Sequence, residues 1–275
     1  MKARSRNNAI LSVHSDYLYS CHAWFNDYTR CFHSSDPKLE KNIDLKLKHT
    51  ARVCDNISRI AKSLQLGQED LALAEVLALL HDVGRFEQLK DYGSFDDRIT
   101  TDHAALGLKV LNRAGILCSL PKNERRLIRR AIWLHNKYEI PETESPRCLL
   151  FSRLIRDADK LDILGLIVEH FETRSQNPNP ALDFGLENCP GYSKEAILDI
   201  LKGRMVKIAA LKNQNDMRLM YLSWVFDIYF PVTLSCIEER GYLKKLVDCL
   251  PQDSEIVEAV DFIMDYLDWR GLVFI

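Results

Sequence analysis

Apolar residues recur along this chain at three- and four-residue steps, while turn-bounded alternation is scarce. That spacing gathers side chains on one face of a helix, so the pattern predicts an all-α protein. Val53, Ile57, Ile60 and Leu64 fall on one stripe of a helix that ends near Gly67. Glu69 to Leu80 reads as a second helix, closed by Gly84. Thr101-Asp102 supplies an N-cap for a third, from His103 to about Ala114. Pro121 opens a fourth, through Leu127, Ile128, Ala131 and Ile132 to about Asn136, and Pro146 precedes a long apolar helix from Arg147 to about Phe171. Thr173 to Ser193, with Pro178, Pro180, Gly185, Pro190 and Gly191, is a loop by composition. Helical patterns resume over Ile197 to Leu211, Leu219 to Phe230 and Ile256 to Leu267.

The composition narrows the class further. Of the 275 residues, 47% are hydrophobic and 28% charged, which excludes a disordered tail or a coiled rod and leaves ample material for a core. A net charge of −2 gives no basic footprint for a nucleic-acid polymer or an anionic membrane. The basic start Met1 to Arg6 is not followed by an apolar stretch of leader length. The clean apolar runs, such as Ile163 to Val168, fall far short of the ~20 residues a spanning helix needs. The eight cysteines contain no C-x-x-C pair, and a chain of this size needs no disulfide staples, so reduced thiols in a cytoplasmic protein are expected.

Polar residues interrupt the apolar stripes at particular places. His49 lies four residues before Val53 and continues its stripe. His81-Asp82 ends the very apolar run Leu71 to Leu80. His103 is in the first turn of a helix whose inner face is Leu106, Val110 and Leu111. His135 follows Ala131 and Ile132 by four and three residues, and Asp159 lies midway between Ile155 and Ile163. Buried imidazoles and carboxylates are costly without partners, and a shared cation satisfies them together. Neutral imidazole with carboxylate suits iron, manganese, zinc, nickel or cobalt rather than a thiolate-seeking metal. His81 and Asp82 also sit at the negative end of a helix dipole, which favours a cation. They are ~100° apart around a helix, so both can serve if the last turn unwinds before Gly84.

The ordered set His49, His81-Asp82, His103, His135, Asp159 resembles the HD-domain metal-dependent phosphohydrolase superfamily. The text His81-Asp82-Val83-Gly84-Arg85-Phe86 is similar to that family's HD element, and Ala158-Asp159-Lys160-Leu161-Asp162 to its closing element. The resemblance covers roughly residues 40 to 170. It implies a helical-bundle core over 40–172; the helical patterns outside it add N-terminal helices and a C-terminal helical layer over 194–275 packed on it, all within a single all-α unit. It also implies one or two divalent transition-metal ions, with iron or manganese ahead of zinc, nickel or cobalt. In the simplest members one ion is held at positions matching His49, His81, Asp82 and Asp159. Members with two ions add positions matching His103 and His135, with the Asp of the pair bridging. Asn136 stands where some two-ion members have a second histidine.

The residues beside these candidates divide into two readings. Asp157 competes with Asp159, but two residues on a helix are ~200° apart, and both cannot face one ion. Asp162, one turn on, suits a hydrogen-bonded support for a ligand or for Lys160. Arg85, Lys137 and Lys160 each lie within three residues of a proposed ligand and are candidates for binding an anionic substrate, with Asp82, Arg85 and Lys160 taken as catalytic. The bland alternatives are a helix-end contact for Arg85 and an ion pair with Asp157 or Glu169 for Lys160. Arg125, Arg126, Arg129 and Arg130 read as a solvated face ahead of a phosphate site. His14, His22, His33 and His170 read as surface or local packing, Asp227 as a buried acceptor, and Phe226, Tyr229 and Phe230 as core. Phe86 to Asp102 is either a substrate loop or a short helix with a solvated turn.

Four neutral imidazoles and two carboxylates carry −2, so two divalent ions leave a positive centre suited to an anionic substrate. The resemblance implies hydrolysis of a phosphate ester or anhydride in a small nucleotide or other phosphorylated metabolite, with water activated by the ions as nucleophile. No G-Y-P element follows Ala131 to Asn136, which sets aside cyclic dinucleotides. A di-iron oxygenase and a non-catalytic nucleotide-binding regulatory module are the rival classes, and a homodimer is left open. The start of the His103 helix is a further candidate for holding phosphate through backbone N–H groups.

Overall fold

Asp36 and Pro37 start the helix that organises the first half of the chain. The Asp36 carboxylate accepts a hydrogen bond from the Lys38 N–H at 2.9 Å, and Pro37 takes the opening position, where a missing N–H costs nothing. The helix then runs to Ser63, burying Ile43, Lys46, His49, Val53, Ile57 and Ile60 along one stripe. The computed structural model describes residues 2–176 and 178–271, with side chains from Asp16 onward. It is all-α, as the periodicity predicts. Among the described residues the chain divides into two compact units, Met1–Asp159 and Lys160–Ile275.

The first unit contains α1 (Lys2–Arg30), α2 (Pro37–Ser63), α3 (Gln68–Leu80), α4 (Gly84–Tyr92), α5 (His103–Ala114), α6 (Lys122–His135) and the opening turns of α7 (Pro146–Thr173). Helix α3 is its centre, since Leu73, Ala74, Val76, Leu77, Ala78, Leu79 and Leu80 are all buried. A helix that is apolar all round belongs inside, and each such leucine or valine contributes roughly 1.5–3 kcal/mol when fully buried. Helices α1 and α2 pack on it. Tyr17, Cys21 and Phe25 form the inner stripe of α1 at four-residue spacing, and the Phe25 ring meets that of Phe86 edge-on at 6.0 Å.

Gly84 does not close the second helix, as its sequence context predicts. It is the first residue of α4. His81 and Val83 keep right-handed helical backbone, at φ −59° and −58°, so α3 passes into α4 through a three-residue corner. The glycine is needed there for lack of a side chain. A Cβ on Gly84 would lie 2.3 Å from the His103 carbonyl oxygen and 2.5 Å from the Gly107 nitrogen. Its absence lets α4 and α5 cross at backbone contact, and this brings His103 beside the His81-Asp82 corner.

Elsewhere the expected boundaries shift for local reasons. The stretch 86–102 is half helix: α4 ends where Gly93 turns left-handed at φ +66°, and a loop follows to Asp102. The second unit holds the rest of α7, then α8 (Pro180–Asp183), α9 (Lys194–Leu201), α10 (Gln214–Ser223), α11 (Pro231–Glu239), α12 (Tyr242–Val247) and α13 (Ser254–Trp269). The helix predicted over 197–211 stops at Leu201, because Gly203 adopts φ +64°. That predicted over 219–230 begins earlier, at an Asn213 cap, and tightens to a 3₁₀ turn at Trp224. Leu161, Leu164, Ile167, Ile197, Ile200, Leu219, Leu222, Ile263 and Leu267 supply the core of this unit. The cysteines form no disulfide. No helix of the described residues is long and apolar enough to cross a membrane.

Gly84→Ala is expected to lower stability by about 3 kcal/mol, as overpacking against fixed backbone does. Thermal or denaturant unfolding of the variant beside the wild type measures it, and an unchanged midpoint would show that α4 and α5 can part freely.

Candidate metal centre

Five separate stretches of the first unit deliver the six residues singled out in the sequence. His49 comes from the inner stripe of α2, His81 and Asp82 from the corner after α3, His103 from the first residue of α5, His135 from the last residue of α6, and Asp159 from α7. His49, His81, Asp82, His103 and His135 are buried. Their donor atoms fall into overlapping triads, each within 4.8 Å: His49, His81 and Asp82; His81, His135 and Asp159; Asp82, His103 and His135.

The Asp82 carboxylate lies in the middle, and its two oxygens face different partners. Oδ2 is 3.5 Å from His49 Nε2 and 3.8 Å from His81 Nε2. Oδ1 is 3.4 Å from His103 Nε2 and 3.7 Å from His135 Nε2. On the first side, Asp159 Oδ1 completes the group at 3.2 Å from His49 Nε2 and 3.7 Å from His81 Nε2. Burial pushes the Asp82 carboxyl up, but Lys46 and the surrounding imidazoles outweigh it and hold the group well below the usual carboxylate range. Asp159 is held down in the same way by His49 and His81.

The outer nitrogens of the imidazoles determine what the inner ones offer. His81 Nδ1 is 2.7 Å from the Ala78 carbonyl, and His135 Nδ1 is 2.6 Å from the Ile132 carbonyl. A carbonyl only accepts, so both Nδ1 atoms carry the hydrogen. His103 Nδ1 meets the Asp97 carboxylate at 2.5 Å. Burial and Arg85 push the His103 pKa down to about 4, so this ring is neutral near pH 7 and its Nε2 is a bare lone pair. That lone pair lies 2.9 Å from His135 Nε2. Two such nitrogens stay so close only with a positive charge between them, a proton or a metal cation. His81 Nε2 and Asp159 Oδ1 are also buried with no hydrogen-bond partner, a costly state that a cation relieves. The donor set therefore fits a divalent transition metal.

Residues 47–164 match the family model for the HD domain, a span that includes all six candidate ligands. The chain contains an HD domain over these residues. Comparison with curated proteins and with solved structures found no match. The HD domain is an all-α fold of metal-dependent hydrolases, and the His/Asp cluster is compatible with metal binding.

The cations expected to meet substrate have varied surroundings. Arg85 Nη1 donates to Gln88 Oε1 at 2.7 Å, to the Phe95 carbonyl at 2.6 Å and to Asp97 Oδ1 at 2.9 Å. Its Nε lies 3.6 Å from Asp82 Oδ1 and is buried without a hydrogen bond. Lys137 pairs with Asp102 and covers the Trp133 ring at 4.0 Å. Lys160 pairs with Asp227, an acid its sequence context does not offer. Asp102, not Thr101, caps α5, and its carboxylate occupies the Ala105 N–H at 3.1 Å, which leaves a negative group where a phosphate was expected. Asp157 belongs to none of the ligand triads. Arg130 pairs with Glu144, and Arg129 is hydrogen-bonded to Asn112. His22, His33 and His170 face Glu75, Glu40 and Asp183, while the His14 side chain lies outside the described residues.

Four supporting residues escaped the sequence reading. Asp97 orients His103 and is itself held by Arg85 and by Gln88 Nε2 at 2.8 Å. Arg156, buried in α7, donates to the carbonyls of Leu134 at 3.0 Å and His135 at 3.2 Å, closing the end of α6 that carries His135. Asn56 Nδ2 donates to the Ala158 carbonyl at 3.1 Å and ties α2 to the backbone beside Asp159. Lys46 Nζ lies 2.7 Å from Asp82 Oδ2. Lys46 had a legible signal, a charge one turn ahead of His49 on the same apolar stripe. The others are recognisable only from their partners.

Asp97→Ala is expected to weaken Mn2+ binding by about 10–100-fold, the usual effect of removing a ligand's orienting carboxylate. Titration calorimetry on chelator-stripped protein reads this directly. Arg156→Met, which leaves helix-end carbonyls buried and unpaired, is expected to cost about 3 kcal/mol in denaturant unfolding.

Proposed function

We propose that this protein is a metal-dependent phosphohydrolase that cleaves a phosphate ester or anhydride of a small nucleotide or other phosphorylated metabolite. The observation that carries the reading is the division of Asp82. One carboxylate oxygen faces His49 and His81, and the other faces His103 and His135. A carboxylate shared in this way suits two cations at one reacting centre. Bound divalent ions would supply Lewis acidity, acidifying water and offsetting charge on phosphoryl oxygens.

The chain's own residues supply the rest. The four imidazoles and two carboxylates carry −2, so two divalent ions leave a positive centre that attracts a phosphate and repels nothing anionic. Asp82 fixes where the attacking water lies relative to the two histidine pairs. Arg85 Nε–H, buried and without a hydrogen bond, is directed to charge developing on the phosphoryl group. The reading assigns no phosphate contact to Lys160 or Lys137, whose ammonium groups are paired with Asp227 and Asp102. Iron or manganese is the metal proposed, on the mixture of imidazole and carboxylate donors.

Metal analysis of protein purified without chelator, paired with a phosphate-release screen across nucleotides and sugar phosphates, tests the reading. Bound transition metal is expected, with phosphate release that stops on chelation and returns with Mn2+. Asp82→Ala is expected to lose at least about a thousandfold in kcat/KM. Metal-dependent oxygen uptake without phosphate release would replace this reading with oxygenase chemistry.

A further inference from the structure

Lys46 is a buried cation at the metal centre that the proposed reaction does not use. It lies on α2 one turn ahead of His49, with its ammonium 2.7 Å from Asp82 Oδ2. It stands just before the segment matched by the HD-domain model, which begins at residue 47. Its other neighbour is the Phe95 ring, 5.2 Å away. Among the described residues no second carboxylate lies within ion-pair distance of the ammonium. The enclosure of the centre is uneven. The side chains of His81 and His49 are 0% and 2% exposed, whereas those of Lys46, Asp159 and Arg85 are 11%, 15% and 15% exposed. Lys46, Asp159 and Arg85 are thus less enclosed than the two histidines.

Oδ2 of Asp82 is also the oxygen that faces His49 and His81. A cation held by that group draws on the same negative charge that now balances the ammonium. Like charges on one oxygen repel strongly at a desolvated site. The ammonium is a compact charge on a flexible four-carbon stem, so it can turn from one partner to another. With no other acid in range, the available counter-charge is on the bound substrate. We propose that Lys46 exchanges partners: it holds Asp82 while no ion is bound, and contacts the phosphoryl oxygens of the substrate once ions are in place. This rests on the phosphohydrolase reading and makes Lys46 its anion-binding residue.

The test uses the full chain stripped with chelator, with Mn2+ and inorganic phosphate as probes in titration calorimetry. Lys46→Met keeps the length and removes the charge. It is expected to bind Mn2+ about tenfold more tightly, since the competing cation is gone, and in the Mn2+-loaded form to bind phosphate about tenfold more weakly. Lys46→Gln, which retains a hydrogen-bond donor for Asp82, must show the same pair of shifts, and it decides the matter if Lys46→Met does not fold. Lys46→Arg is expected to bring phosphate affinity back to within about threefold of wild type. Opposite movements of the two affinities are the signature, because a merely structural lesion weakens both. Weaker Mn2+ binding, or unchanged phosphate binding, in the neutral variants overturns the proposal. The two readings fail separately. A wild type that hydrolyses phosphate esters while the Lys46 variants keep its affinities removes only the exchange. Lys46 variants that show both shifts, beside a wild type that releases no phosphate from any ester, remove only the hydrolase reading.

Discussion

Two imidazole nitrogens face each other at the centre of this protein, and the arrangement is tolerable only around a positive charge. His103 Nε2 and His135 Nε2 are 2.9 Å apart, while their outer nitrogens are committed to Asp97 and to the Ile132 carbonyl. The same constraint extends to His81, whose outer nitrogen is committed to the Ala78 carbonyl and whose inner nitrogen is buried without a partner. Burying lone pairs and carboxylates in this way costs free energy in a fold whose net stability is only about 5–15 kcal/mol. The first unit offsets it with an apolar helix whose closing residues Val76 to Leu80 are all buried, and places the costly corner at that helix's end.

Rigidity at the corner comes from backbone contact more than from side-chain packing. Gly84 lies against the His103 carbonyl and the Gly107 nitrogen, so the residues just before it and the first residue of α5 cannot drift apart independently. Arg156 closes the end of α6, and Asn56 ties α2 to the stretch of α7 that carries Asp159. Each ligand-bearing segment is therefore held close to where its side chain must be. Such positioning matters because a displacement of about 1 Å in a catalytic group can cost a hundredfold in rate.

The loop from Gly93 to Asp102 belongs to the centre as much as the helices do. It contributes Asp97, which orients His103, and Phe95, whose ring has Lys46 at 5.2 Å and Arg85 at 5.9 Å. Arg85 and Gln88 of α4 hold this loop through the Phe95 carbonyl, Asp97 and Thr100. One carboxylate thus links Arg85 to His103, and both of these face Asp82 Oδ1. Charge at Arg85 and geometry at His103 are coupled through Asp97.

The all-α class and the inward direction of the six candidate ligands were legible in the sequence, because helical periodicity places residues on a face without knowledge of what that face meets. His49 in step with Val53, and His135 in step with Ala131 and Ile132, needed no coordinates. The corner at Gly84 was misread because a glycine ends helices far more often than it begins one, and its role here depends on a neighbour that is distant in the chain. Lys160 was assigned to substrate by adjacency to Asp159, yet its partner Asp227 is sixty-seven residues away. Which oxygen of Asp82 faces which histidines, which nitrogen of each ring carries its hydrogen, and how Lys46 and Asp97 enter the centre were decided only by tertiary structure. Periodicity sets direction around one helix axis, whereas these features are distances between different helices, and they exist only once the helices have packed.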